Sequence, residues 1–423
     1  MRPYRVVIFI AAVMAGLGVL DLFGVFDKQT EAAEFVAVED IEGIDTIAEP
    51  IIEPISEPVA ESVAPPKPQP KPEIPKVHVD STTDSRIFLS QFYSSLAVAG
   101  ERVVRVVHYG DSQIEEDRMT QQIRERLQKR YGGSGVGLMP LAQTIPTRTE
   151  HQEIWMNGVA VRPQQGPRRY VVYAPRRDQR RDGLYGVMGQ VAEMNDSLVA
   201  GSEEVTAVCS PLTNPPFYTR TQVFADTTIR YTVNGDTIYL AGRGKVYGLS
   251  QESDTGVIVD NIPMRGCLGL VFTKIDSAQL ASFYAEQNVR LIILQFGGNA
   301  IPFNETPSTI QAIVRGLREQ VRYIRKCAPE ASILFIGPSD MIRLSEGEWQ
   351  TYPMVPYMDR LLHKMALDER IAYFSLYQWM GGAGSMKRWQ EIGLAGGDGV
   401  HFYRSGARKA GNAVGEWMLD FKF

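Results

Sequence analysis

Gly110-Asp111-Ser112 comes two residues after the apolar run Val103-Val104-Arg105-Val106-Val107, so a serine hydroxyl stands at the exit of a buried strand. Far downstream, Gly397-Asp398-Gly399-Val400-His401 sets an aspartate and a histidine three positions apart. A serine is a weak nucleophile until an imidazole takes its proton, and a carboxylate holds that imidazole in the tautomer able to do so. Between these segments, Gly297-Gly298-Asn299 ends the run Leu291-Ile292-Ile293-Leu294-Gln295-Phe296 and offers a side-chain amide. Such an amide is a hydrogen-bond donor for the oxyanion of acyl transfer. Taken singly, each piece is a turn-prone cluster of Gly, Asp and Asn. Their shared position, each at the end of a strand or before a helix, makes them one constellation.

The elements that must position these groups read as alternating helices and strands. Phe88, Leu89, Phe92 and Leu96 have helical spacing ahead of the strand Val103 to His108. Met119, Ile123 and Leu127 mark a helix after the Gly-Asp-Ser turn, with Asp117 placed to cap its start and Arg124, Glu125, Gln128 and Lys129 on its polar face. From about Gly132 to Asp260 the period shortens. Thr228 to Val233 and Thr237 to Leu240 flank Asn234-Gly235-Asp236, a hairpin signal. Helix and strand then alternate again: strands at Val257 to Val259, Arg290 to Phe296, Ser332 to Ile336 and Ile371 to Phe374. The helices carry Ile310 to Ile324, Met358 to Met365 and Ser405 to Leu419. The fold class expected is α/β, a three-layer α/β/α sandwich around a mostly parallel sheet, interrupted by an inserted antiparallel β domain.

The chain has 423 residues and a formal charge of −5. Residues 1–27 read as a membrane anchor or signal segment. Arg2 and Arg5 precede the uncharged stretch Val6 to Leu20, followed by Asp21 and Leu22 to Phe26. An uncleaved anchor is the favoured reading, Ala32-Ala33 being a poor cleavage site. Residues 28–80 read as a Pro/Glu-rich tether. Glu49-Pro50, Glu53-Pro54 and Glu57-Pro58 lead into Pro65-Pro66-Lys67-Pro68, and there is too little apolar content for a core. The domain bounds that follow are 81–131 with 257–423 for the catalytic unit and 132–256 for the insertion. The histidines at 78, 108, 151, 363 and 401 do not cluster with carboxylates at ligand spacing, so neither a metal nor any other cofactor is expected. Nothing in the basic residues suggests a nucleic-acid partner, and Arg168-Arg169, Arg176-Arg177 and Arg180-Arg181 read as a solvated loop, with contact to an anionic polymer as the alternative. Cys209, Cys267 and Cys327 allow at most one disulfide.

Over residues 100–131 and 257–420 this arrangement resembles the SGNH (GDSL-type) hydrolase superfamily of esterases and lipases. The resemblance implies Ser112 as nucleophile, His401 as general base and Asp398 as its orienting acid. It implies an oxyanion hole from the Ser112 and Gly266 N–H groups and the Asn299 amide. Gly266 lies in Asn261-Ile262-Pro263-Met264-Arg265-Gly266 behind a strand; Gly135 and Gly137 compete for that role. The first block departs from the family pattern in having Gln113 where leucine is common, and that leucine is not a catalytic group. An exported, tethered esterase with a β insertion is similar in layout to the bacterial peptidoglycan O-acetylesterases, whose inserted module resembles a carbohydrate-binding sandwich. The function implied is removal of O-acetyl groups from peptidoglycan or another envelope polysaccharide. The body would lie in the periplasm, held to the inner membrane by the N-terminal segment or released if that segment is cleaved. An O-acyltransferase acting on a glycan hydroxyl and a non-catalytic glycan-binding envelope protein are the alternatives.

Overall fold

A computed structural model describes residues 74–79, 82–138 and 244–421 throughout, and between 139 and 243 only the strands named below. Helix α1 (Ser90–Leu96) leads into β1 (Val103–Gly110), and a 3-10 segment, Ser112–Asp117, joins β1 to α2 (Thr120–Tyr131). Eight strands follow: β2 (Gln152–Trp155), β3 (Tyr170–Val172), β4 (Gln190–Met194), β5 (Val205–Pro211), β6 (Arg220–Ala225), β7 (Arg230–Asn234), β8 (Thr237–Ala241) and β9 (Gly244–Glu252). They form two antiparallel four-stranded sheets in the orders β2-β5-β8-β7 and β3-β4-β9-β6. β7 and β8 pair with Asn234 opposite Thr237, the hairpin expected from Asn-Gly-Asp. Next come β10 (Gly256–Pro263), α3 (Ser277–Glu286), β11 (Val289–Gln295), α4 (Pro307–Cys327) and β12 (Ser332–Ile336). A hairpin of β13 (Ile342–Ser345) and β14 (Glu348–Thr351), which the sequence reading does not contain, precedes α5 (Val355–Asp368). The chain ends through β15 (Ala372–Phe374), α6 (Leu376–Met380), α7 (Ser385–Glu391) and α8 (Arg404–Leu419).

The central sheet runs β10-β1-β11-β12-β15 with every pair parallel. β1 is buried at each position, which is why its sequence is nearly continuous apolar rather than alternating. Val107, Tyr109, Ile292, Leu294, Ile333 and Phe335 face a core closed by α3, α4 and α5. Val104, Val106, Val257, Val259, Ile293 and Leu334 face a second core closed by α1, α2 and α8. Two helical layers therefore sandwich one sheet. The second strand in sequence lies outside the first, so the order reverses between β1 and β11. Loops leaving the C-terminal ends of those strands diverge there and open a crevice, the usual ligand position in such sheets.

Two buried ion clusters brace this frame. Arg105, on β1, places its guanidinium 2.6 Å from Glu252 of β9 and 2.7 Å from Asp260 of β10. It thereby joins the central sheet to one of the two antiparallel sheets. Asp117 does not cap α2: it is fully buried in a left-handed conformation (φ 61°) and pairs with Arg124, while α2 begins at Thr120 without a side-chain cap. Arg124 also donates to the Val259 carbonyl at 2.7 Å, so this pair clamps α2 onto β10. Ile74 and Val77, inside the stretch read as tether, pack against the first core. The anchor segment, the rest of the tether up to residue 73 and the paired arginines from Arg168 to Arg181 lie outside the described residues. Among the described residues no helix is long and apolar enough to cross a membrane.

Candidate active site

β1 stops at Gly110, and Asp111 turns the chain in extended conformation, its Oδ1 accepting the Gln113 N–H at 3.0 Å. That cap starts the 3-10 segment with Ser112 as its first residue, and the fully buried Ile114 pins the turn into the second core. At the end of β11, Gly297 takes a left-handed conformation (φ 115°), which a side chain would resist, and opens the short turn Gly298–Ala300. A Cβ on Gly298 would stand 3.7 Å from Asp111 Oδ2, so the asparagine turn lies against the serine turn.

The Asp398–His401 loop folds on itself. Asp398 Oδ1 accepts the N–H groups of Val400 at 2.9 Å and His401 at 3.0 Å, leaving Oδ2 for the imidazole. Gly399 (φ 73°) lies so close to the Ile342 carbonyl that a Cβ would sit 2.7 Å from it. His401 Nδ1 is 2.7 Å from Asp398 Oδ2, and His401 Nε2 is 2.8 Å from Ser112 Oγ. A carboxylate only accepts, so Nδ1 carries the proton; Nε2 of the neutral ring is then bare and receives the serine O–H. Burial alone would raise the Asp398 pKa. The hydrogen bonds from the His401 ring and from the His401 and Val400 N–H groups outweigh it and hold the carboxyl below its ordinary range.

Asn299 donates through Nδ2 to the Cys267 carbonyl at 3.2 Å. The amide nitrogen has two hydrogens, so one remains for a second acceptor. A cleft beside it is lined by Asp111, Ser112, Gly298, Asn299, Met341 and Val400, among others. Ser112, His401, Asp398 and Asn299 therefore come together at the crevice. Gly266 does not line the cleft. It sits in the turn after β10 with φ 70°, next to the Cys267 peptide that Asn299 contacts, and a Cβ there would meet nothing within 4 Å. Of its competitors, Gly137 has a packing reason of its own, since a Cβ would fall 2.3 Å from Asp260 Oδ1. Gly135 offers its carbonyl to the Gln128 amide at 3.0 Å.

Two residues absent from the sequence-derived set tie the serine to the histidine. Gln113 Nε2 donates to the Val400 carbonyl at 2.7 Å and its Oε1 accepts the Phe402 N–H at 3.4 Å, so it grips the chain on both sides of His401. Arg118 donates to the Ser112 carbonyl at 2.7 Å and the Phe402 carbonyl at 3.1 Å. Gln113 thus has a task that the leucine common at its place could not perform. Beneath the site His108 is wholly buried, with Nδ1 2.8 Å from Thr120 Oγ1 and Nε2 3.2 Å from Gln295 Oε1. Burial pushes its pKa down to about 3, so it stays neutral and structural.

Asp111 is the unusual carboxyl here. Burial raises its pKa to about 6, against the pull of the Gln113 N–H and the charges of His401 and Arg118, with Glu115 adding to the rise. Between the ordinary carboxylate value and about 6 the folded chain holds a proton that the unfolded chain releases. Stability therefore falls as pH rises through that window and stays lower above it. Asp111→Asn keeps an acceptor for Gln113 and removes the charge. The variant should match the parent near pH 4 and exceed it above pH 6 by on the order of 2 kcal/mol in denaturant titrations. An unfolding midpoint shifted equally at both pH values would show that Asp111 ionises normally.

No family model matches the chain, and no curated protein matches it. Among solved structures, a peptidoglycan O-acetylesterase aligns over 81% of this chain and 97% of its own, at 21% identity and a TM-score of 0.60. An acetylxylan esterase from Geobacillus stearothermophilus covers 40% of this chain and 74% of its own, at 16% identity and a TM-score of 0.28. The periplasmic domain of a lipopolysaccharide acetyltransferase from Salmonella ser. Paratyphi A covers 40% and 74% at 13% identity, with a TM-score of 0.27. The first of these likenesses is one of fold. The architecture is the three-layer α/β/α sandwich around a parallel sheet, with antiparallel strands inserted after its first strand, that the sequence led us to expect.

Proposed function

We propose that this protein is a serine esterase that removes O-acetyl groups from peptidoglycan or a related envelope polysaccharide. The observation that carries the reading is the unbroken hydrogen-bonded line from Asp398 through His401 to Ser112, with the Asn299 amide beside it at the crevice. Ser112 Oγ attacks the acetyl carbonyl carbon while its proton passes to His401 Nε2, and Asp398 steadies the imidazolium. The oxyanion is received by the second Asn299 N–H and the backbone N–H of Ser112, the two donors that line the cleft. Collapse expels the sugar hydroxyl, which takes the proton from Nε2. Water, deprotonated by the same nitrogen, then releases acetate and restores Ser112.

The acetylated glycan is suggested by the peptidoglycan O-acetylesterase that shares the fold over most of both chains. A basic, apolar N-terminus and a proline-rich spacer suit an exported body tethered near the cell wall. The test is acetate release by the purified protein from peptidoglycan bearing O-acetyl groups and from the same material after mild alkaline removal of them. Acetate from the first alone supports the reading; acetate from neither removes it. A glycan acceptor added to the first mixture separates hydrolysis from transfer, since transfer yields acetylated acceptor in place of acetate. Asn299→Ala should lower kcat by roughly 10²–10³-fold, the effect of losing one oxyanion donor, with KM little changed. Steady-state kinetics on a small acetyl ester would record it.

A further inference from the structure

The hairpin of β13 and β14 grows out of the cleft wall. Met341, the residue before it, lines the cleft, and the Ile342 N–H donates to the Gly399 carbonyl, inside the loop that carries Asp398 and His401, at 3.0 Å. Ile342 is buried at 1% exposure, and two residues further along the same face Leu344 stands 62% exposed. Leu344 pairs directly with Trp349, itself 40% exposed. Directly paired antiparallel residues share a face, so indole and isobutyl group form one apolar step. It lies about 7 Å along the strand from the residue packed on the histidine loop.

The step is held firmly. Tyr352 N–H donates to the Met341 carbonyl at 2.9 Å, and Thr351 Oγ1 donates to Asp340 at 2.8 Å while accepting the Gly384 N–H at 2.8 Å. Arg343 pairs with Glu305 and lies over the Tyr352 ring.

We propose that Leu344 and Trp349 form a platform for a pyranose ring of the polysaccharide, next to the unit whose acetyl group is being removed. The proposal rests on the esterase reading and names the subsite that reading lacks. A pyranose presents an apolar C–H face that suits an indole, whose ring face is electron-rich. Two side chains cover the footprint of one sugar ring. A second copy of this chain would need about 800 Å² per partner, far beyond such a step.

The test uses two variants and two substrates. Trp349→Ala should lower kcat/KM on polymeric O-acetylated peptidoglycan roughly tenfold, through KM, and leave 4-nitrophenyl acetate hydrolysis unchanged. Trp349→Phe should keep most of the polymer activity. In the Ser112→Ala background, sedimentation with the insoluble glycan should be lost when Trp349→Ala is added. Equal losses on both substrates, an unaffected polymer rate or unchanged sedimentation would each overturn the platform. So would a dimer that Trp349→Ala turns to monomer, since it assigns the pair to a second copy. Glycan sedimentation that depends on Trp349 without any acetate release would instead remove the esterase reading and leave the platform standing.

Discussion

Ser112→Ala is expected to lower turnover of a small acetyl ester by roughly 10⁴–10⁶-fold, because among the described residues the hydroxyl hydrogen-bonded to His401 Nε2 is that of Ser112. The variant should still fold: Ser112 Oγ has His401 Nε2 as its hydrogen-bond partner, and the turn is held by Asp111, Ile114 and the Arg118 bond to the serine carbonyl. His401→Ala should cost about as much. The double variant should be no worse than either single one, since the two side chains act as a unit. Burst kinetics give a second readout: the parent should accumulate an acetyl-enzyme detectable by intact mass, absent from Ser112→Ala. A Ser112→Ala protein with parental turnover would move the nucleophile elsewhere.

The second large effect concerns folding. Arg105→Ala strips the cation from between two carboxylates that are both at 0% exposure, Glu252 and Asp260. Burial already raises the Asp260 pKa, and Arg105 is the chief opposing influence. Removing one partner of a buried ion cluster leaves uncompensated charge and costs about 3–5 kcal/mol. Urea titrations should show that loss at neutral pH. It should shrink in acid, where Asp260, whose pKa burial raises, takes up a proton. A variant as stable as the parent at pH 7 would mean that the cluster contributes nothing to the fold.

Ser112, Asn299, Asp398 and His401 were legible from the sequence because type and place agree. Each is a chemically competent side chain in a loop that feeds one sheet edge, and an apolar run or helix stripe announces the element beside it. Gly266 was carried by family resemblance, and its peptide lies beside the Asn299 contact rather than in the lined cleft. Gln113 and Arg118 were not legible, since their partners are backbone carbonyls and an N–H nearly three hundred residues away, and backbone groups leave no residue signature. The β13–β14 hairpin escaped for another reason. Its turn uses Glu346-Gly347 at φ 54° and 83° rather than Asn-Gly, and each strand is only four residues long, so the usual hairpin signal is missing. Asp117 was misplaced as a cap because a helix-start carboxylate and a buried ion-pair partner look alike until Arg124 is seen to reach back to it.

The strand order has a consequence for synthesis. β1 leaves the ribosome long before either neighbour, whose pairings begin at Gly256 and Val289. At roughly 5–20 residues per second that interval is on the order of ten seconds or more, during which a valine-rich segment has no strand to pair with. A charge in the middle of such a segment discourages it from pairing with other chains. Arg105 therefore acts twice: as a guard while the nascent chain waits, and as the buried cation that Glu252 and Asp260 enclose once they arrive.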